Sequence, residues 1–149
     1  MQPEERLVPQ LAPPDDGDDG RRFAAAIALI AAELRAEDVA VLDLRGLTNV
    51  ADYFVIGTGT SDRQMHAVLE RIEEYARTVG RAPFHVAGAR QSTWILADYV
   101  DVIVHLFDPE HRRYYDLDGL WGDAPRVEWQ RDGRAASTDA KEPAQVPPA

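Results

Sequence analysis

The feature that most constrains this chain is a strand, a break and a helix near its middle. Tyr53-Phe54-Val55-Ile56 is a run of strong β-formers. Gly57-Thr58-Gly59-Thr60 interrupts it, and Ser61-Asp62-Arg63-Gln64 then has the form of a capping box. In that motif the Ser61 hydroxyl accepts from the Gln64 amide and the Gln64 side chain reaches back to Ser61. Met65, Val68, Leu69, Ile72, Ala76 and Val79 follow at helical spacing, with Glu70, Glu73, Glu74 and Arg77 mostly on the wet face. Gly80 ends the helix as a C-terminal cap. Strands follow, so this β-α-β step demands one parallel pair with a right-handed crossover.

The flanking segments complete the pattern. Phe23, Ile27, Ile30 and Leu34 mark an Ala-rich helix that starts after Gly20 and ends near Ala36. Residues 39–44 form a nearly continuous apolar run, suited to a strand buried on both faces. Residues 84–86 suggest a short strand and 88–92 a polar loop. Residues 94–97 and 102–107 are two more strands, joined by the tight turn 98–101 into a hairpin. Pro109 and Glu110 open a short helix through Tyr115, and 117–121 packs apolar groups onto the body. The order α-β-β-α-β-β-β predicts an α/β fold, a mixed sheet of about five strands with packed helices.

Both ends read differently. Residues 1–20 combine four prolines with six acidic groups and one Arg, and residues 130–149 mix Gly, Ala, Pro and scattered charge. Neither offers enough apolar surface to offset ordering entropy. The expected organisation is an acidic disordered tail (1–20), a folded domain (21–129) and a second disordered tail (130–149).

Charge and composition narrow the function. The net charge is −10, and residues 21–129 still hold 17 acidic groups against 12 Arg. Nucleic-acid affinity comes largely from cations that displace counterions, so little direct nucleic-acid contact is expected and a basic protein partner fits better. There is no cysteine, and no apolar run approaches the ~20 residues that span a membrane. With neither a signal nor a transit pattern at the N-terminus, a cytoplasmic location is expected.

No catalytic set emerges. Gly57-Thr58-Gly59-Thr60-Ser61 lies where a phosphate cradle would, but it lacks the third glycine of a dinucleotide site and the Gly-Lys-Ser/Thr of a P-loop. It reads as a turn plus a cap. A nucleotidyltransferase would need metal-holding carboxylates on the next strand, where residues 84–86 have none. Asp98 and Asp101 flank the hairpin turn. Two carboxylates make a weak cation site, so Asp101 reads as turn chemistry, with Asp98 free to face a partner. None of His66, His85, His105 and His111 pairs at metal-binding spacing, and His105 inside an apolar strand reads as a hydrogen-bonded, half-buried residue. No metal or cofactor is expected. On strand 94–98, Trp94, Leu96 and Asp98 share one face, Ile95 and Ala97 the other. Pattern alone leaves Trp94 equally a core side chain and an interface anchor.

Taken in order, the blocks resemble a known family. Asp52-Tyr53-Phe54-Val55-Ile56 leads to Gly59-Thr60-Ser61-Asp62-Arg63-Gln64. The run from Trp94-Ile95-Leu96-Ala97-Asp98-Tyr99 through Phe107 follows, then Arg113-Tyr114-Tyr115-Asp116-Leu117 and Leu120-Trp121. Together, over about Phe23 to Val127, they resemble the ribosomal silencing factor (RsfS, Iojap-like) family. The resemblance implies a nucleotidyltransferase-like fold without demonstrated transferase chemistry, a homodimer, and binding to the large ribosomal subunit. The contact would be the conserved interface protein numbered fourteen, where occupancy blocks small-subunit joining and represses translation. It implies partner-binding roles for Trp94, Asp98 and Tyr99, and more loosely for Leu96 and Asp101. One departure stands out. The family's turn reads Asp-Tyr-Gly-Asp, and here Val100 replaces the glycine. A positive φ at that position would strain a β-branched residue. The alternatives are a nucleotidyltransferase-like nucleotide-binding protein or enzyme, and a dimeric adaptor unrelated to ribosomes.

Overall fold

The structure is a computed structural model that describes residues 17–130. Its elements are α1 (Gly17–Glu33), β1 (Glu37–Asp43), β2 (Tyr53–Thr58), α2 (Asp62–Thr78), β3 (His85–Ala87), β4 (Trp94–Asp98), β5 (Val102–Phe107), α3 (Pro109–Tyr115) and α4 (Leu117–Leu120). The expected tails fall mostly on residues 1–16 and 131–149, outside the described residues. Helix α1 begins at Gly17 rather than after Gly20. Its first turn is tied down by the Asp19 carboxylate, which accepts from Arg81 at 3.1 Å.

The five strands form one mixed sheet in the order β1-β2-β5-β4-β3. This is the α/β architecture the sequence predicts. The single parallel pair is β2 with β5. Strand β3, which the α2 crossover reaches from β2, lies at the far edge and pairs antiparallel with β4. The expected hairpin is present, β4 against β5 with Trp94 opposite Phe107 and Asp98 opposite Ile103.

Strand β1 is buried on both faces at residues 40–42, as its apolar run predicts, although it lies at the edge of the sheet. Its outer side is closed by the C-terminal segment: Asp43 N–H donates to the Pro125 carbonyl and Val127 N–H to that of Val41. That cover pairs the end of β1 at Val41 and Asp43, part of an edge that would otherwise template association.

Alternation splits the core into two layers. Val41, Tyr53, Val55, Ile95, Ala97, Val102 and Val104 face α1 and α2, where Phe23, Ile27, Met65, Val68 and Ile72 meet them. Leu42, Phe54, Ile56, Ile103 and Phe107 face the other way, under Leu117, Trp121 and Ala124. The first layer is thick and closed. The second is covered by two short helices and one segment of chain.

Helix α2 follows its sequence signals with two changes. Ser61 Oγ accepts from Gln64 N–H at 3.0 Å, as a capping box requires. The Gln64 side chain reaches back one residue further than expected, accepting from Thr60 N–H, while its NH2 donates to the Leu34 carbonyl. Tyr75 is buried on this helix, whereas Val79 is exposed at its C-cap. Gly80 follows at a φ of +75°, the left-handed conformation that closes many helices.

Candidate functional site

Strand β4 builds the site. Ile95 and Ala97 are buried against the α1–α2 layer, and Trp94, Leu96 and Asp98 lie half-buried on the opposite face. Trp94 is the pivot. Its indole N–H donates to His105 Nδ1 at 3.1 Å, across the β4–β5 pairing. Its ring packs on Phe107 at 5.0 Å and on Tyr115 at 4.5 Å between centroids. Tyr115 meets Tyr114 edge-to-face at 4.9 Å, a favoured aromatic geometry. The result is an aromatic strip running from buried His105 through Trp94 to Tyr114, which is 77% exposed. Leu120, 69% exposed, lies on the adjacent α4.

The strip is held from behind. His105 is 4% exposed, and burial pushes its pKa down to about 4. The ring is therefore neutral near pH 7, as its role as acceptor to Trp94 requires. Helix α3 is fixed by the Asp108 cap, which accepts from His111 N–H at 2.8 Å. Arg112 also anchors it, donating to Asp118, to Thr58 Oγ1 and to the Asp38 carbonyl.

The five residues singled out from the sequence do not all meet. Trp94, Leu96 and Asp98 share the outer face. Tyr99 is 4% exposed and sits in the α1–α2 layer, its ring 5.0 Å from Phe23. Burial and then nearby Glu73 push its hydroxyl up to about 12, so the side chain is not presented to a partner here. The turn chemistry read for Asp101 belongs to the Asp98 side chain. Asp98 Oδ1 accepts from Val100 N–H at 2.7 Å and so does the turn chemistry. The Asp101 carboxylate instead accepts from Arg81 at 2.8 Å, and its carbonyl accepts from both Asp52 and Tyr53 N–H. Arg81 lies far away in sequence, which is why the local pattern could not assign this partner. The sequence does not single out exposed Tyr114, Tyr115 and Leu120 as site residues. For the two tyrosines the signal lies in the aromatic density after residue 90, but nothing local says that α3 will lay Tyr115 on Trp94 and Tyr114 against Tyr115.

The loop before α2 does not make a phosphate site. A cleft of about 350 Å³ there is lined by Gly59, Thr60, Ser61, Asp62, Arg90 and Asp108, among others. The amides of Gly59, Thr60 and Gln64 already donate, to Phe107 O, Gln64 Oε1 and Ser61 Oγ. Two carboxylates in the lining oppose an anion. Among the described residues, no group of three or more His, Cys, Asp or Glu side chains is placed to hold a metal ion.

Comparison with known proteins gives this geometry a context. The model of the family "Ribosomal silencing factor during starvation" matches residues 18–148. The chain belongs to the ribosomal silencing factor family. The silencing factor RsfS of Bacillus subtilis is 44% identical over 91 residues, covering 61% of this chain and 77% of that protein. A mouse protein, "Mitochondrial assembly of ribosomal large subunit protein 1", is 31% identical over 128 residues, covering 80% of this chain and 55% of that one. A crystal structure of a Chromobacterium violaceum protein superposes with a TM-score of 0.66 at 25% identity, covering 74% of this chain and 91% of that one. Silencing factors are ribosome-associated regulators, which places this chain in translation control. No helix among its described residues is long and apolar enough to cross a membrane.

Proposed function

We propose that this chain binds the large ribosomal subunit through the interface ribosomal protein numbered fourteen and blocks small-subunit joining by occupancy. The observation that carries the reading is the family match over residues 18–148. The mouse relative, named for large-subunit assembly, points to the same particle. The structure supplies a surface of the right character. Trp94, Leu96 and Asp98 form its floor, and exposed Tyr114 and Tyr115 extend it. Aromatic anchors beside charge are the usual hot spots of protein interfaces.

Direct contact is assigned to Trp94, Leu96 and Asp98, and the shaping of the neighbouring turn to Tyr99 and Asp101. A net charge of −10 favours a basic ribosomal protein over rRNA. An interface of ordinary size, roughly 1,600 Å² in total, excludes a competing subunit without any chemistry. On this reading the protein acts in the cytoplasm as a homodimer, with neither cofactor nor catalysis.

The experiment is co-sedimentation with purified large subunits, followed by addition of small subunits. Binding and reduced joining are expected, and Trp94→Ala should weaken binding by about 2 kcal/mol. Undiminished joining at saturating protein refutes the reading.

A further inference from the structure

We propose that His105 is a positioning residue for docking: it locks the Trp94 indole in one pose by accepting its N–H. The inference rests on the reading that Trp94 meets the large subunit, and it adds a residue that would not itself touch the partner.

The chemistry of the pair supports this. Trp94 has a single polar atom, and that atom donates to His105 Nδ1 at 3.1 Å. Because Nδ1 accepts, the ring proton must sit on Nε2. That Nε2 is buried and has no hydrogen-bond partner. An orphaned buried donor is costly and calls for an explanation. Strand β5 is otherwise Val, Ile, Val, Leu and Phe, so an apolar side chain at this position would avoid the cost. What a histidine adds is an acceptor aimed at the indole, which no aliphatic or phenyl group supplies.

The surroundings keep the lock closed. Strand β2 presents Phe54, at 4.4 Å between centroids, and Ile56, the pairing partner of His105. Strand β4 presents Trp94 and Leu96, and β5 itself presents Phe107. None of these groups is ionisable, and desolvation alone acts on the imidazole. Were the ring protonated, Nδ1–H would point at the indole N–H, donor against donor. With the ring neutral, the indole of a half-exposed Trp is held before the partner arrives. Such preorganisation lowers the ordering cost of docking.

The test combines affinity for purified large subunits with NMR of the free protein. Trp94→Phe identifies the Trp94 indole signal among the three tryptophans. In the wild type that N–H should exchange slowly with solvent, and in His105→Phe it should exchange faster and shift upfield. His105→Phe should bind large subunits about tenfold more weakly. His105→Gln, whose side-chain oxygen can accept, should stay within about threefold of wild type. In a Trp94→Phe background, His105→Phe should add no more than about a twofold loss, because the bond is already gone. Equal losses in both backgrounds, or a folded His105→Phe that binds as wild type does, overturn the inference. If His105→Phe fails to fold, the wild-type signal decides, and exchange as fast as an exposed indole overturns it. Failure of the wild type to bind large subunits overturns the docking reading instead, while the exchange rates still decide whether His105 holds Trp94.

Discussion

Val100 carries backbone strain that a single substitution should release. It sits at the hairpin tip with a φ of +79°. There the Asp101 N–H donates to the Tyr99 carbonyl across one residue, the bond of a strained γ-turn. Such a φ is a genuine outlier for a β-branched side chain. The turn persists because it is over-determined: Asp98 Oδ1 takes the Val100 N–H at 2.7 Å and Tyr99 N–H donates to the Val102 carbonyl at 2.8 Å. A residue held in this region costs ~1–3 kcal/mol, all of which glycine recovers. Glycine loses more backbone freedom on folding, about 0.5–1 kcal/mol. The side chain is 65% exposed, so the burial forfeited is small, about 0.5 kcal/mol. The expected net is a stabilisation of about 1 kcal/mol, or a rise in Tm of about 3–5 °C. Urea titration of wild type, Val100→Ala and Val100→Gly should give midpoints that rise in that order at constant slope. Alanine keeps the positive φ but loses the branch, so it should fall between the other two. A Val100→Gly midpoint at or below wild type refutes the strain argument.

Three further outcomes follow from local geometry. His105 has a folded pKa of about 4 against ~6.5 unfolded, so the fold prefers the neutral ring. Its contribution of about 3 kcal/mol is fully present above pH 6.5 and is lost as pH falls through 6.5 to about 4. Stability measured across that window should drop less steeply in His105→Phe, and identical slopes would contradict the burial argument. His66 behaves oppositely: its Nδ1 and Nε2 face the carbonyls of Asp62 and Ala89, and these bonds raise its pKa. Only the imidazolium donates to both, so this contribution is present below pH 6.5 and is lost as pH rises through the raised value. Ring 15N shifts should titrate above pH 6.5, and a midpoint at or below it contradicts the geometry. Gly88 has a φ of +83°, and a Cβ there would lie 1.9 Å from the Trp94 carbonyl oxygen. Gly88→Ala should cost ~3 kcal/mol or more in thermal or urea melts, and a loss under about 1 kcal/mol would show that the loop shifts freely.

Much of this fold is legible because its signals are local. A capping box needs only Ser61 and Gln64, three residues apart; Ser61 caps α2 as expected, and Gln64 reaches back to the Thr60 N–H in place of that of Ser61. Two β-rich runs separated by four residues leave little alternative to the hairpin of β4 and β5. What escaped is set by distant pairing. Nothing near residues 39–44 tells that the run will sit at an edge, because residues 124–127 bury it from the side. Nor does the crossover say that the parallel neighbour of β2 will be β5 rather than β3, a choice made by the whole sheet.

The site shows where parity outweighs family resemblance. Side chains along a strand alternate, so Ile95, Ala97 and Tyr99 belong to one face and Trp94, Leu96 and Asp98 to the other. The burial of Tyr99 against Phe23 continues that rule one residue beyond β4. A resemblance carried over residue by residue cannot see this, since it marks Tyr99 without saying which way its ring points. Asp101 lies beyond the γ-turn, where alternation is reset, and its Arg81 partner follows from the packing of α2 rather than from spacing. The same rule read along β5 puts Ile103, His105 and Phe107 on the Trp94 side. Here the lone histidine of β5, between two apolar residues and diagonal to Trp94 on the next strand, is the sequence trace of the indole's acceptor. It becomes readable once the register of the hairpin is known.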